Sequence, residues 1–389
     1  MKPLAQRMQR SSTQYFAQLS AKIAQLQSTG KQIIRLDIGS PDMPPAPHIV
    51  EALTKGASAP DRHGYQTHSG PAALLKAWAG LYSRAHGVAL DPQTEIVPLL
   101  GSKEGIFHLS QAFLDPGDVA LIPDPGYVTY AAGATFAGAE PYFMPLLPQN
   151  GWLPNLSTIP LDIVRRAKLL WLNYPNNPTA AVAPREFLAA AVAYAHQHDL
   201  LLCHDAAYSQ VSFDGYRPAS ILEIPRAKEV AIEFNSLSKA YNMAGWRVGA
   251  AVGNAFALKA LFTLKTNLDS GHFLPIHEAA ITAMTGDQEW VWERNEVYRQ
   301  RRDIILDGLR ALGLNPETPQ ASLYVWSPIP QGATSSEFTN HLLESCSVSL
   351  TPGSIFGQHG EGYVRIALSS PTEEIMEAMR KITQVISVK

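Results

Sequence analysis

Ala167-Lys-Leu-Leu-Trp-Leu172, a helical stretch over residues 186–198 and Leu200-Leu-Leu-Cys203 follow one another in the middle of this 389-residue chain. The two short runs are almost continuously apolar, as strands covered on both faces should be. The stretch between them has apolar residues at helical spacing and enters after Pro184, a proper start signal. Strand, helix and strand in that order predict a parallel pair joined by a crossover helix. Working outward, Val119-Ala-Leu-Ile122, Val230-Ala-Ile-Glu-Phe234 and Val248-Gly-Ala-Ala-Val252 read as further strands. The expected class is α/β, a mostly parallel sheet flanked by helices.

The last third carries a different pattern. Residues 275–312 read as one long helical stretch, followed by strand candidates over 322–326, 348–351 and 363–368 and a terminal helix from Thr372. This is an α+β arrangement and predicts a second, smaller domain. Residues 33–38 read as a strand leading into the turn Gly39-Ser40-Pro41-Asp42, so the first residues are expected to pack with it. The predicted division is 1–45 as N-terminal arm and part of the small domain, 46–280 as the large domain and 281–389 as the small C-terminal domain.

Composition removes several function classes. A net charge of −3 and a pI near 6.5 lack the basic footprint of a nucleic-acid binder. Cys203 and Cys346 lie far apart without metal-ligand spacing, and Cys203 sits in an apolar run that predicts a buried, inert thiol. No G-x-G-x-x-G follows a strand, which argues against a nicotinamide dehydrogenase. No apolar segment is long enough to span a bilayer. The N-terminus has Lys2, Arg7 and Arg10 but no apolar core of a secretory signal, and residues 22–36 read as structured chain rather than transit peptide. A cytoplasmic protein is the expectation.

Open parallel sheets bind ligands beyond the carboxyl ends of their strands, so the polar residues just after each apolar run carry the chemistry. Ser236, Ser238, Lys239 and Arg247 form the strongest group: two hydroxyls and a guanidinium suit a phosphate, and a lysine with a neutral amine can form an imine. Taken alone, the same motif also fits a solvated helix start. Asp205 ends a hydrophobic strand, where a carboxylate needs a cation such as a pyridinium nitrogen, although capping a helix would serve it too. Tyr208 and Asn177 are placed to reach a ring's phenolate oxygen, or to be a core-edge tyrosine and an ordinary turn residue. Gly101-Ser102-Lys103-Glu104 precedes an apolar helix whose start is a second anion site. Tyr127 can stack on a ring or pack at a turn. Arg365 lies between apolar residues of a strand, and facing inward it would demand an anion such as a carboxylate.

The order Gly39, Tyr65, Ser102-Lys103, Tyr127, Asn177, Asp205, Tyr208, Ser236-x-Ser238-Lys239, Arg247, Arg365 resembles the class I/II aminotransferases of pyridoxal-phosphate (PLP) fold type I, over nearly the whole chain. The resemblance implies pyridoxal 5'-phosphate as cofactor, with Lys239 as the Schiff-base and catalytic lysine. It implies Asp205 on the pyridine nitrogen, Tyr208 and Asn177 on the phenolate oxygen, and Tyr127 stacked on the ring. Ser102, Lys103, Ser236, Ser238 and Arg247 would hold the phosphate, and Tyr65 would reach the phosphate of a neighbouring subunit. Arg365, the Gly39 backbone and Asn177 would bind the substrate α-carboxylate. It further implies a PLP-binding large domain, a homodimer with shared active sites, and ping-pong transfer of an amino group from an L-amino acid to a 2-oxo acid such as 2-oxoglutarate.

Within the family, Arg35-Leu-Asp-Ile-Gly-Ser-Pro-Asp42, Asn173-Tyr-Pro-Asn-Asn-Pro178 and Asn242-Met-Ala-Gly-Trp-Arg247 look most like LL-diaminopimelate aminotransferases. Two departures stand out. Ala180 replaces the usual glycine after Pro178-Thr179, and His272 and His277 occupy a stretch where plainer residues are expected. The arginine that aspartate-specific members use for a side-chain carboxylate is missing from that stretch. Other reactions of the same fold remain alternatives: a β-lyase, an amino-acid oxidase, a decarboxylating synthase, or transamination of aspartate, alanine, glutamate or aromatic amino acids. A non-catalytic regulator is disfavoured, because such relatives carry a DNA-binding domain ahead of this fold. The sequence names neither donor, acceptor nor pathway.

Overall fold

A computed structural model describes residues 4–9 and 15–386. Lys2 and Arg10 of the N-terminal reading lie outside the described residues.

The runs quoted first become the strands Ala167–Asn173 and Leu201–Asp205, joined by the helix Arg185–His198. They lie side by side and parallel, Leu170 opposite Leu202 and Asn173 opposite Asp205. Their side chains alternate between two buried layers: Leu170, Leu172 and Leu202 enter one cluster, while Leu169, Trp171 and Cys203 enter another. Apolar runs without alternation are what such double burial requires. Burial also pushes the Cys203 thiol up, as expected of an inert cysteine.

Seven strands form the sheet. Across it run Ile96–Leu99, Gly249–Gly253, Ala231–Ser236, Leu201–Asp205, Ala167–Asn173, Val119–Asp124 and Glu140–Pro145. Only Gly249–Gly253 runs antiparallel to its neighbours. Its start therefore lies at the same sheet end as the finishes of the others, which places Arg247 beside Ser236. The two outermost strands were not foreseen. Each carries proline (Pro98; Pro141 and Pro145), which lacks an N–H for the ladder and is tolerated at a sheet edge.

A second core gathers around the antiparallel sheet Thr351–Pro352, Tyr363–Ala367 and Tyr324–Pro328, with Leu36, Tyr298, Val325, Ile366 and Ile375 among its members. Three expectations change here. The stretch 275–312 is two helices, Leu274–Thr285 and Glu289–Ala311, interrupted where Gly286 closes the first and the Asp287 carboxylate accepts from Glu289 N at 2.9 Å to open the second. The 33–38 strand is only Ile34–Arg35, because beyond it Asp37 O and Ile38 O accept instead from the side chains of Arg365 (2.9 Å) and Ser369 (2.6 Å). The 348–351 strand splits at Leu350. Val348–Ser349 pairs with Ile34–Arg35, and Thr351–Pro352 pairs with Tyr363–Ala367.

Candidate active site

The strand ends surround a cavity of about 490 Å³. Every residue the sequence nominated lines it except Tyr65, whose side chain points away from the chain and is 97% exposed.

One wall is an anion cradle. Ser236 finishes its strand and caps the following turn, its Oγ accepting from Ser238 N at 3.2 Å. The helix Ser102–Phe113 begins opposite, with unpaired N–H groups at its start. Two glycines allow this approach. A Cβ on Gly249 would sit 2.7 Å from Ser102 N, and one on Gly101 would sit 2.3 Å from Arg247 Nη2. Arg247 itself has a left-handed backbone (φ 59°) and a guanidinium that donates to Ala244 O at 2.9 Å. Partial desolvation and the neighbouring Arg247 charge lower the Lys103 ammonium below its ordinary range.

Lys239 lies between this cradle and Arg365, its Nζ donating to Gly39 O. Burial, then the charges of Arg365 and Arg247, push its pKa down to about 8. The Lys239 turn is held from behind by Arg294, which sequence reasoning missed. This fully buried guanidinium donates to Lys239 O at 2.6 Å and to Gln210 O at 2.9 Å.

Asp205 is buried and raised above the ordinary carboxylate range, because burial outweighs the hydrogen bonds that favour its anion. Those bonds come from Tyr130 Oη (2.8 Å) and Ala207 N (3.2 Å), so the carboxylate caps the turn that follows, while the helix it was alternatively expected to cap does not form there. Tyr130 was missed. It sits three residues after Tyr127, in the first turn of the helix Thr129–Ala137, and stacks on Trp171 with centroids 4.9 Å apart. Tyr208 Oη lies 2.8 Å from Tyr324 Oη, another missed residue hidden in an apolar strand. Asn173 donates to Asp205 O at 2.7 Å and accepts from Asn177 N at 2.8 Å, fixing the turn to its neighbour strand. Ala180 ends that turn at φ 59°. The left-handed strain of about 1–2 kcal/mol is offset by the bond from its N–H to Asn176 O and by burial of its methyl group.

Arg365 is 4% exposed. It donates to Asn177 Oδ1 at 2.8 Å and Asp37 O at 2.9 Å, and its guanidinium lies over the Tyr324 ring, 4.2 Å from the centroid. Its Nε has no partner, and no carboxylate among the described residues pairs with it. The carboxylate of Asp37, whose carbonyl Arg365 binds, is itself held by Arg35 Nε and Nη2, each at 2.7 Å.

Apart from the Arg35–Asp37 ion pair, the cavity thus presents four cationic side chains (Lys103, Lys239, Arg247, Arg365) against one uncommitted carboxylate, Asp205. A surplus of three positive charges matches a phosphate near −2 plus one carboxylate. A buried carboxylate across from the cradle matches a cationic ring nitrogen. The donor set fits pyridoxal 5'-phosphate together with an amino acid.

The chain belongs to the aminotransferase class I and II family, whose model matches residues 31–382. Its cofactor is accordingly pyridoxal 5'-phosphate and its activity that of an aminotransferase acting on amino and 2-oxo acids. More particularly, it is 49% identical over 382 residues to the LL-diaminopimelate aminotransferase of Moorella thermoacetica, covering 98% of each chain. It is also 47% identical over 380 residues to that of Gloeobacter violaceus, covering 97% of each. Among solved structures, substrate-bound BacF from Bacillus subtilis matches with a TM-score of 0.95 at 39% identity, over 99% of this chain and 98% of that one. A Thermus thermophilus aspartate aminotransferase variant matches at 0.91 and 30% identity, over 99% and 100%. These neighbours share fold type I.

Proposed function

We propose that this chain transfers the amino group of LL-diaminopimelate to a 2-oxo acid such as 2-oxoglutarate, with Lys239 as the residue that moves the proton. The observation that carries the reading is a buried, carboxylate-free Arg365 in the same cavity as an amine lowered to about pKa 8. The choice of amino donor rests on relatives of that name at 46–49% identity.

In this reading Ser102, Lys103, Ser236, Ser238 and Arg247 hold the phosphate, and Asp205, kept in place by Tyr130, holds the proton on the ring nitrogen. Tyr127 covers the ring, while Tyr208 and Asn177 face its phenolate oxygen. Bound there, pyridoxal 5'-phosphate supplies the aldehyde that accepts the amino group and a ring that withdraws electrons from Cα. Arg365, with Asn177 and the Gly39 backbone, holds the α-carboxylate and so fixes which way the Cα–H bond points. Lys239 Nζ takes the proton from Cα and gives it up again, a positioned acid–base transfer typically worth about 10² to 10⁴ in rate. The second half-reaction uses the same groups in reverse on the incoming 2-oxo acid.

The same reading divides the chain at about residues 45 and 280, and makes Tyr65 a ligand for the cofactor phosphate of a second subunit in a homodimer. The Arg247 side of the cradle is exposed in the single chain, and the exposed Tyr65 is of the kind that would close it.

A donor panel tests the substrate: purified holoenzyme with LL-diaminopimelate, aspartate, alanine, glutamate and aromatic amino acids, each with 2-oxoglutarate or pyruvate. LL-diaminopimelate is expected to turn over fastest, with one 2-oxo acid formed per amino group moved. No turnover of it, beside rapid turnover of another donor, overturns the substrate choice. Ammonia release without amino-group transfer overturns the reaction.

A further inference from the structure

His272 and His277 have no part in the chemistry above, yet both are buried within reach of the cradle. His272 Nε2 lies 2.6 Å from Arg247 O, and His277 Nε2 lies 3.3 Å from His272 Nδ1. The rings are inclined at 67° with centroids 5.1 Å apart. His272 is 9% and His277 1% exposed.

The hydrogen bonds dictate the protons. Arg247 O only accepts, so His272 must carry its proton on Nε2. A neutral His272 then offers the Nδ1 lone pair, and His277 Nε2 must donate to it. His277 Nδ1 is left as a bare acceptor, buried without a partner against Gly70, where a Cβ would come within 3.3 Å of the ring. Burial and nearby cations resist an extra proton on either ring. Burial comes first for both rings; for His277 the His272 ring and the Lys265 ammonium add to it, and for His272 Lys265 and the Arg247 charge add to it while the bond to Arg247 O and Glu104 oppose it. Lys265 is itself committed to Glu104 at 2.9 Å and Asp269 at 2.5 Å.

The bonded carbonyl matters because of its residue. Arg247 is the turn residue at φ 59°, where a non-glycine backbone needs outside support. Its guanidinium lies over Gly101 at the start of the Ser102–Phe113 helix. The next carbonyl, Val248 O, accepts from Leu237 N at 3.0 Å in the Lys239 turn. A donor fixed on Arg247 O therefore holds the segment that joins both halves of the cradle.

We infer that His272 and His277 form a neutral two-histidine prop whose purpose is to hold Arg247 in its strained turn, so that the cradle is formed before phosphate arrives. Both are positioning residues. The inference rests on the assignment of Arg247 to the cofactor phosphate, and the test separates the two.

Apo-protein is titrated spectroscopically with pyridoxal 5'-phosphate and, separately, with pyridoxal, which has the same ring and aldehyde but no phosphate. His272→Phe is expected to raise the Kd for pyridoxal 5'-phosphate roughly fivefold to tenfold, the scale of one lost hydrogen bond, and to leave pyridoxal unchanged. His272→Gln, with a terminal amide to donate to Arg247 O, is expected to recover most of the difference. Should His272→Phe not fold, His277→Leu carries the same comparison, with a smaller rise in the same direction. Equal weakening toward both ligands, or none toward either, overturns the prop. Arg247→Gln serves as the reference: if it fails to weaken phosphate-bearing ligand selectively, the cradle assignment is wrong. If it weakens selectively while both histidine variants bind normally, the prop alone is wrong.

Discussion

Lys239 is where residue-scale physics and function meet. An ordinary lysine amine is protonated until about pH 10.4, and a protonated amine cannot attack an aldehyde. Burial and two guanidinium neighbours bring this one to about 8. Capture of pyridoxal 5'-phosphate by apo-protein should therefore accelerate about tenfold per pH unit below 8 and level off above it. Stopped-flow absorbance between pH 6 and 10 reads this directly, and acceleration continuing past pH 10 would contradict it. The motif around Lys239 was legible in sequence, but its environment was not. Arg365 lies 126 positions away and Arg294 lies 55 away; only folding brings the first to the amine and the second to its backbone carbonyl. Tyr130 and Tyr324 were illegible for a related reason, because a tyrosine in an apolar run looks the same whether its hydroxyl meets Asp205, Tyr208 or nothing.

At the scale of elements, the sequence was read best where both faces of a strand are buried, since continuous apolar runs announce themselves. It was read worst at the edges. Ile96–Leu99 and Glu140–Pro145 are short, interrupted by proline and less distinctive, and the long helix expected over 275–312 concealed a break at Gly286. Nor did spacing reveal the buried Lys265, which ends the helix Ala255–Lys265 and joins it to Glu104 on the Ser102–Phe113 helix and to Asp269. This ammonium is 2% exposed and helps bring Glu104 down to about 2. Lys265→Met should cost about 3–5 kcal/mol at pH 7, because two carboxylates lose their cation in a dry site. A carboxylate with a depressed folded-state pKa contributes stability above its unfolded value near 4.5 that is lost as pH falls toward 2. The variant's deficit should thus shrink between pH 5 and pH 3. Urea unfolding at the two pH values measures it, and a deficit independent of pH would refute the assignment.

For the molecule as a whole, the seven-stranded sheet explains why residues from position 101 to 247 converge, and the second core explains how Arg365 and Asp37 close the opposite side. What a single chain leaves open is the Arg247 side of the cradle. Tyr65, Leu268 and Phe273 are 97%, 58% and 36% exposed, and the ring of Phe273 lies 5.3 Å from that of His63, so the two segments meet there and leave apolar surface open. Covering such a surface favours association. Sedimentation equilibrium should give twice the 42.4 kDa of the chain, and a monomer with full activity would refute shared sites.

Everything above turns on Lys239 being the amine to which the cofactor aldehyde would be joined. Treating holoenzyme with sodium borohydride fixes that linkage, and peptide mass spectrometry locates it. Phosphopyridoxyl label is expected on the peptide bearing Lys239 and on no other lysine; label on a different lysine, or none at all, would mean that the linkage is not at Lys239.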